Sequence, residues 1–162
     1  ISAQNVFRQA SLTKIAMYTV GMMLYEQGKF LMTDPLYEYF PEFRHSTKII
    51  QKSNGTLEEV PTEHPITIKN VFNMTSGLPY ELIIGGAPVP HPTSLAMAKA
   101  MKPLREKGYF TLREQIRAAS SAPLAFEPGT RFLYCFSSEL MAGLIEVLSG
   151  KPAELVIREM LF

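Results

Sequence analysis

Cys135 is the only cysteine in the chain, so no disulfide can form within it, and cysteine usage does not decide the redox compartment. Histidine is nearly as scarce. His45, His64 and His91 stand in loop-like stretches without ligand-like spacing, and neither a metal nor an organic cofactor is implied. Neither sign of charge is in excess, with 16 basic residues against 15 acidic, which removes the bulk electrostatic case for nucleic acid or an anionic membrane as partner. Small, roughly neutral substrates suit that balance better. The longest apolar stretch, around Met17 to Tyr25, is bracketed by Lys14 and Glu26 and is too short to span a membrane; it reads as a buried helix. The sequence opens on Ile1, and no basic, apolar and small-residue series resembles a signal peptide, so localisation stays open and a piece of something longer is expected. Internal repeats and low-complexity tracts are absent too.

A length of 162 residues with 46% hydrophobic and 19% charged content suits a single globular domain with a sizeable core. After a short strand-like or irregular lead over Asn5 to Gln9, a run of about seventeen residues from Ser11 reads as one helix that Gly28 can end. Its apolar residues leave little polar face, so it is expected to sit centrally. Met17, Met22 and Met23 on it read as core. Thr33, Asp34 and Pro35 form an N-cap signature for a short helix through about Tyr39, closed by Pro41. Lys48 to Lys52 and Thr56 to Val60 flank Asn54-Gly55, the pair suited to a type I′ turn, so a small hairpin is predicted near 48–60.

Further along, Thr67 is a plausible N-cap for a helix to Met74, with a turn at Thr75, Ser76 and Gly77 after it. Gly85 to Pro92, with two glycines and three prolines, reads as a loop. Ser94 to Lys107 has helical composition until Pro103 interrupts it, and its basic cluster of Lys99, Lys102, Arg105 and Lys107 reads as solvated surface. Thr111 begins another helix to about Ala119. Pro123, Pro128 and Gly129 mark an irregular connection, after which Ser137 or Ser138 can cap a helix from Glu139 to Leu148, ended by Gly150. Pro152 to Leu161 supplies the last helix.

Chemistry concentrates at the start of the first helix. Residues at i and i+3 share a helix face, so the Ser11 hydroxyl and the Lys14 amine can meet there. The partial positive charge of the helix end favours an alkoxide at Ser11 and disfavours the protonated form of Lys14, and both suit an activated nucleophile. The plainer readings are a helix cap at Ser11 and a solvated first-turn amine at Lys14.

Five segments in order resemble one family, the serine β-lactamase and penicillin-binding-protein-like hydrolases, in the esterase-like branch related to class C enzymes. Phe7 through Lys14 resembles the family's nucleophile helix, and Glu26-Gln27-Gly28-Lys29 with Asp34-Pro35 and Tyr39-Phe40-Pro41 resembles the family's stretch just after that helix. Ile66 to Leu78 is similar to the family's His-Thr-Ser-Gly-Leu segment, with Met74 in place of the usual His. Phe126-Glu127-Pro128-Gly129-Thr130 leads to Tyr134 as the family's segment before its catalytic tyrosine does, and Leu144 to Pro152 is similar to the helix beyond.

The resemblance implies that Ser11 is the nucleophile, Lys14 its proton acceptor and Tyr134 the second acid/base residue, acting on small-molecule esters or amides through an acyl-serine intermediate. Unperturbed lysine and tyrosine both titrate near pH 10, so each needs the other to serve as base near neutrality, and which one gives up its proton stays open. A core aromatic with a satisfied hydroxyl is the plainer reading of Tyr134. The family's tyrosine segment is commonly Tyr-x-Asn, whereas this chain reads Tyr134-Cys135-Phe136, so ester cleavage is favoured over β-lactam cleavage. Phe136 and Cys135 are the candidate substrate-binding residues. Cys135 is either a reactive thiol near the pocket or a small buried filler.

The resemblance also implies a third motif, a Lys or His strand supplying one of two oxyanion N-H donors, which has no counterpart in residues 1–162. One such donor is worth roughly 3 kcal/mol, so this fragment alone is expected to be inactive. The expected fold is mainly α, a helical subdomain with a small hairpin, being part of an α+β β-lactamase/transpeptidase-like fold and forming one partial domain over 1–162. A face that would meet the missing sheet is expected to be apolar and open to the remainder of the domain or to self-association. The alternatives are a non-catalytic binding or scaffold relative, and a peptidase acting on D-amino-acid peptides.

Overall fold

A computed structural model describes residues 2, 4–81, 83, 84, 87, 88 and 92–162. A 3-10 turn over Ala10–Leu12 leads into helix α1, Thr13–Glu26. Next come 3-10 turns at Leu36–Glu38 and Pro41–Phe43, strands β1, Thr47–Gln51, and β2, Leu57–Pro61, and helix α2, Ile68–Phe72. The short strands β3, Ile83–Ile84, and β4, Ala87–Pro88, precede four helices: α3, Pro92–Lys107; α4, Leu112–Ala119; α5, Ser137–Ser149; and α6, Ala153–Leu161.

Helix α5 is the hub, packed against α1, α2, α4 and α6. Its sequence dictates this, because Leu140, Met141, Leu144 and Ile145 are all buried and the small Gly143 lets a neighbour in close. A Cβ at 143 would stand 3.0 Å from Phe40 Cζ and would collide with the Ile116 side chain of α4. Helix α1 packs on α5 and α6, and Met17, Val20, Gly21 and Leu24 are its buried residues. On its outer side Ile15 is 69% exposed and Met22 40%, and Leu12, in the turn just before it, is 65% exposed. The expected central position of α1 is thus corrected: one face is buried, and a stripe of apolar residues stays open.

Local signals determine many of the ends. Gly28 and Gly150 both take the left-handed conformation where helices stop. Thr67 and Thr111 close capping boxes with Asn70 and Glu114, each satisfying otherwise unpaired N-H groups. Other expectations are corrected. Asp34 does not cap the turn after it but accepts from Leu31 N and Tyr39 Oη, each at 2.7 Å, so the segment stays 3-10. Ser137 and Ser138 lie inside α5, with Phe136 at the cap position, because the Ser137 hydroxyl is engaged sideways by Ser76 and Cys135.

Helix α3 runs through Pro103 without ending. The proline lies on the exposed side while Met97 and Met101 hold the buried face, and the Arg105 guanidinium donates to the Ala98 carbonyl at 2.9 Å in the turn before it. Its basic neighbours are paired, Arg105 with Glu81, Lys102 with Glu106 and Lys107 with Glu114. The hairpin turn also differs from expectation. Only Gly55 has positive φ in it, and Lys52 N bonds Thr56 O at 2.8 Å, which makes a three-residue loop rather than a type I′ pair. Part of the glycine- and proline-rich loop proves to be β4 paired with β3, while Gly85, Gly86, Val89, Pro90 and His91 lie outside the described residues. The Asn5 to Gln9 lead forms no strand.

The outer edge of β1 bonds the connection that leads to Tyr134. Ile49 N donates to Leu124 O at 2.9 Å, and Leu124 N to Thr47 O at 2.7 Å. Beyond this bridge the Glu127 carboxylate accepts from Lys48 Nζ at 2.7 Å and from the backbone N-H groups of Glu63 and His64. Burial alone would raise the Glu127 pKa. These donors outweigh it and hold the carboxyl below its ordinary range.

Candidate active site

Ser11 lies in the 3-10 turn, one residue after Ala10, whose φ of +47° is in the left-handed region that a side chain disfavours. The turn presents the Ser11 hydroxyl outward and places Lys14 in the first turn of α1. Tyr134 reaches the same spot from the segment before α5. Its Oη lies 2.7 Å from Ser11 Oγ, in hydrogen-bond contact across 123 positions of sequence. Lys14 Nζ lies 4.8 Å from the centroid of the Tyr134 ring.

Hydroxyl, amine and phenol are therefore brought together. The Lys14 amine is the strongest influence on the phenol, the Ser11 hydroxyl comes next, and together they hold the Tyr134 pKa below its ordinary value. Tyr134 is 42% exposed, so the plainer alternative of a core aromatic does not describe it.

Cys135 and Phe136 are not placed as substrate-binding residues, and for Cys135 the buried-filler reading is the one that fits. They are buried to 0% and 2% exposure, so neither side chain is open to a substrate here. The physical reason is the turn into α5, which directs both inward. Cys135 Sγ lies 2.9 Å from Ser137 Oγ and 3.6 Å from Ser76 Oγ, and Ser76 and Ser137 are themselves 3.1 Å apart. This buried knot ties the Thr75-Ser76-Gly77 turn to the base of the Tyr134 segment. Phe136 packs edge-on against Tyr80, with ring centroids 6.4 Å apart.

Two residues outside every sequence motif border the cluster. Glu139, in the first turn of α5, is half-buried, and Tyr80 Oη donates to its carboxylate at 3.1 Å. Burial is the main cause that raises the Glu139 pKa, against opposing contributions from its own backbone N-H, Tyr80 and Lys14. Burial likewise pushes the Tyr80 phenol well above its ordinary value. A signal for Glu139 existed: it is a carboxylate that directly precedes the apolar run Leu140-Met141 in a helix shortly after Tyr134. Tyr80 carried none. A cavity of about 180 Å³ adjoins the cluster, lined by Lys14, Ser138 and Glu139 among others. A separate groove of about 620 Å³ lies between β1 and the 125–131 connection. Among the described residues no group of three or more His, Cys, Asp or Glu side chains is placed to hold a metal ion, and no helix is long and apolar enough to cross a membrane.

The chain is similar to several known proteins. Esterase EstB of Burkholderia gladioli is 29% identical over 148 residues, covering 91% of this chain and 33% of the esterase. The D-alanyl-D-alanine-carboxypeptidase/endopeptidase AmpH of Escherichia coli (strain K12) is 31% identical over 149 residues, covering 91% of this chain and 32% of AmpH. The chain thus spans about a third of the length of these curated relatives. Among solved structures, EstCE1, a hydrolase with promiscuous acyltransferase activity, superposes with a TM-score of 0.67 at 22% identity, over 93% of this chain and 35% of EstCE1. Simvastatin synthase (LovD) from Aspergillus terreus gives a TM-score of 0.67 at 19% identity, over 92% of this chain and 34% of the synthase. These likenesses show the fold, the helical part of a β-lactamase/transpeptidase-type domain. The family model described as Beta-lactamase matches residues 1–162, and the chain belongs to the beta-lactamase family.

Proposed function

We propose that the protein is a serine hydrolase that cleaves small carboxylic esters or amides through an acyl-serine intermediate. The observation that carries this reading is the 2.7 Å contact between Tyr134 Oη and Ser11 Oγ, with the Lys14 amine beside the same ring. In the first half-reaction the Ser11 proton passes to the Lys14–Tyr134 pair as Oγ bonds to the substrate carbonyl carbon. The tetrahedral intermediate then expels the alcohol or amine, which leaves with that proton. In the second half-reaction water gives a proton to the pair and its oxygen bonds to the acyl carbon. Ser11 departs, recovers the proton and releases the acid.

Esters are favoured over β-lactams because the position where a Tyr-x-Asn segment would offer a side-chain amide holds Phe136, which is apolar and buried. The relatives named as an esterase and as a D-alanyl-D-alanine-carboxypeptidase/endopeptidase support an acyl-transfer role of this kind. On the same reading, the sheet of the parent domain covers the open stripe of Ile15 and Met22 on α1 and of Leu12 just before it. Turnover of a short-chain chromogenic ester by the intact protein tests the proposal. Hydrolysis that vanishes in Ser11→Ala is expected. Activity that survives Ser11→Ala would overturn it, and an intact protein with no turnover of esters, amides or D-amino-acid peptides would favour a binding or scaffold role.

A further inference from the structure

Glu139 has no part in the acylation and deacylation steps, yet it is a carboxylate facing the cluster. Tyr80 Oη donates to both of its oxygens, at 3.3 and 3.1 Å, and the Tyr80 ring lies 6.1 Å from the Tyr134 ring. Glu139 and Lys14 line the same cavity of about 180 Å³, together with Ser138, whose hydroxyl acts on the Tyr18 and Tyr80 phenols. A space of that size walled by an amine, a carboxylate and a hydroxyl has room and partners for bridging water. The titratable groups acting on or through Glu139 are Lys14 and Tyr18 from α1, Tyr80 from the segment after α2, and Tyr134 from the segment before α5. Lys14 is the only cation among these four. A lysine on a flexible stem at an exposed rim turns to water unless something anchors it.

We propose that Glu139 is a positioning residue: fixed by Tyr80, it holds the Lys14 side chain beside the Tyr134 ring across the cavity that Glu139 and Lys14 both line. The proposal rests on the acyl-serine reading and adds to it the residue that positions the Lys14–Tyr134 pair. Glu139 acts on Tyr134 in two opposing ways. Its negative charge disfavours a phenolate directly, while the lysine it anchors favours one. Of all influences on the Tyr134 phenol the Lys14 contact is the largest and the Glu139 charge the smallest, so loss of the anchor outweighs relief of the repulsion.

The test is a near-ultraviolet tyrosinate titration of the intact protein, with its Tyr134→Phe variant as the blank, together with the rate at which a fluorophosphonate labels Ser11 at neutral pH. Glu139→Gln is expected to move the Tyr134 transition to higher pH and to slow labelling about tenfold, the equivalent of one unit in proton affinity. Glu139→Asp should recover part of both. Tyr80→Phe, which keeps the charge but frees the carboxylate, should fall between and stands in if Glu139→Gln does not fold. A Tyr134 transition that stays in place, as a merely structural role would leave it, overturns the proposal. So does a shift to lower pH, the mark of bare repulsion. If Ser11 of the unsubstituted protein is not labelled at all, the hydrolase reading fails and this role fails with it. A labelled Ser11 with an unmoved Tyr134 transition removes only the role of Glu139.

Discussion

Two glutamates in different surroundings show what an environment does to one side chain. Glu127, at the bridge between the hairpin and the 123–131 connection, is met by an ammonium and two backbone N-H groups. Those donors overcome burial and hold its carboxyl below the ordinary range. Glu139, at the junction of α1 and α5, has one phenol donor and the more distant Lys14, and there burial wins and raises the pKa. The first arrangement stabilises the fold. The second sets a partly buried carboxyl beside the Ser11 cluster at a cost to folding, as functional sites commonly do.

The sharpest way to break this contrast is through rate rather than stability. Tyr134→Phe removes the atom in contact with Ser11 and should lower ester turnover by roughly 10²- to 10⁴-fold, the range for a lost general base. Because Tyr134 is 42% exposed, the melting temperature of that variant should barely move. Gly143→Val should do the reverse. It drives a branched side chain against Ile116 and Phe40 and should cost about 1–3 kcal/mol or more in thermal or denaturant unfolding, with the cluster left intact wherever the protein folds.

The glutamates themselves separate next. Glu127→Gln should lower the melting temperature at neutral pH by about 3 °C. Glu139→Gln should raise it slightly, the equivalent of no more than about 1 kcal/mol of unfolding free energy, while slowing the labelling of Ser11. Their pH dependences have opposite sign. A carboxyl with a depressed folded pKa contributes stability above its unfolded value that is lost as the pH falls through the folded one, so Glu127 favours the native state at neutral pH and ceases to do so in acid. A carboxyl with a raised folded pKa favours folding when protonated and ceases to as the pH rises through that value, so Glu139 opposes folding at neutral pH. Melting temperature tracked from neutral pH into acid should therefore fall less steeply in Glu127→Gln than in the unsubstituted protein, and more steeply in Glu139→Gln.

The features legible in the sequence were local. Thr67, Thr111, Gly28 and Gly150 marked helix ends because capping boxes and left-handed glycines act within one turn. Asn54-Gly55 marked a hairpin but not its loop, since the neighbouring Lys52 and Thr56 pairing set the length. Pro103 misled because a helix held by a buried face on α3 survives one missing N-H on its exposed side. The convergence of Ser11, Lys14 and Tyr134 came through family resemblance, as no periodicity relates positions 123 apart. Cys135 is the buried filler that one of its two readings describes, whereas the burial of Phe136 was not legible, because the direction of a side chain after Tyr134 depends on how the chain turns into α5. Tyr80 and its hold on Glu139 exist only in the packed structure.

The central claim is that the Ser11 oxygen becomes acylated. The measurement that reaches it most directly is mass spectrometry of the intact protein, acid-quenched during turnover of a short-chain activated ester, and then peptide mapping. The mass of one acyl group on the peptide bearing Ser11, absent in Ser11→Ala, is the expected result. Turnover with no adduct at Ser11, or with the adduct on another residue, would contradict it.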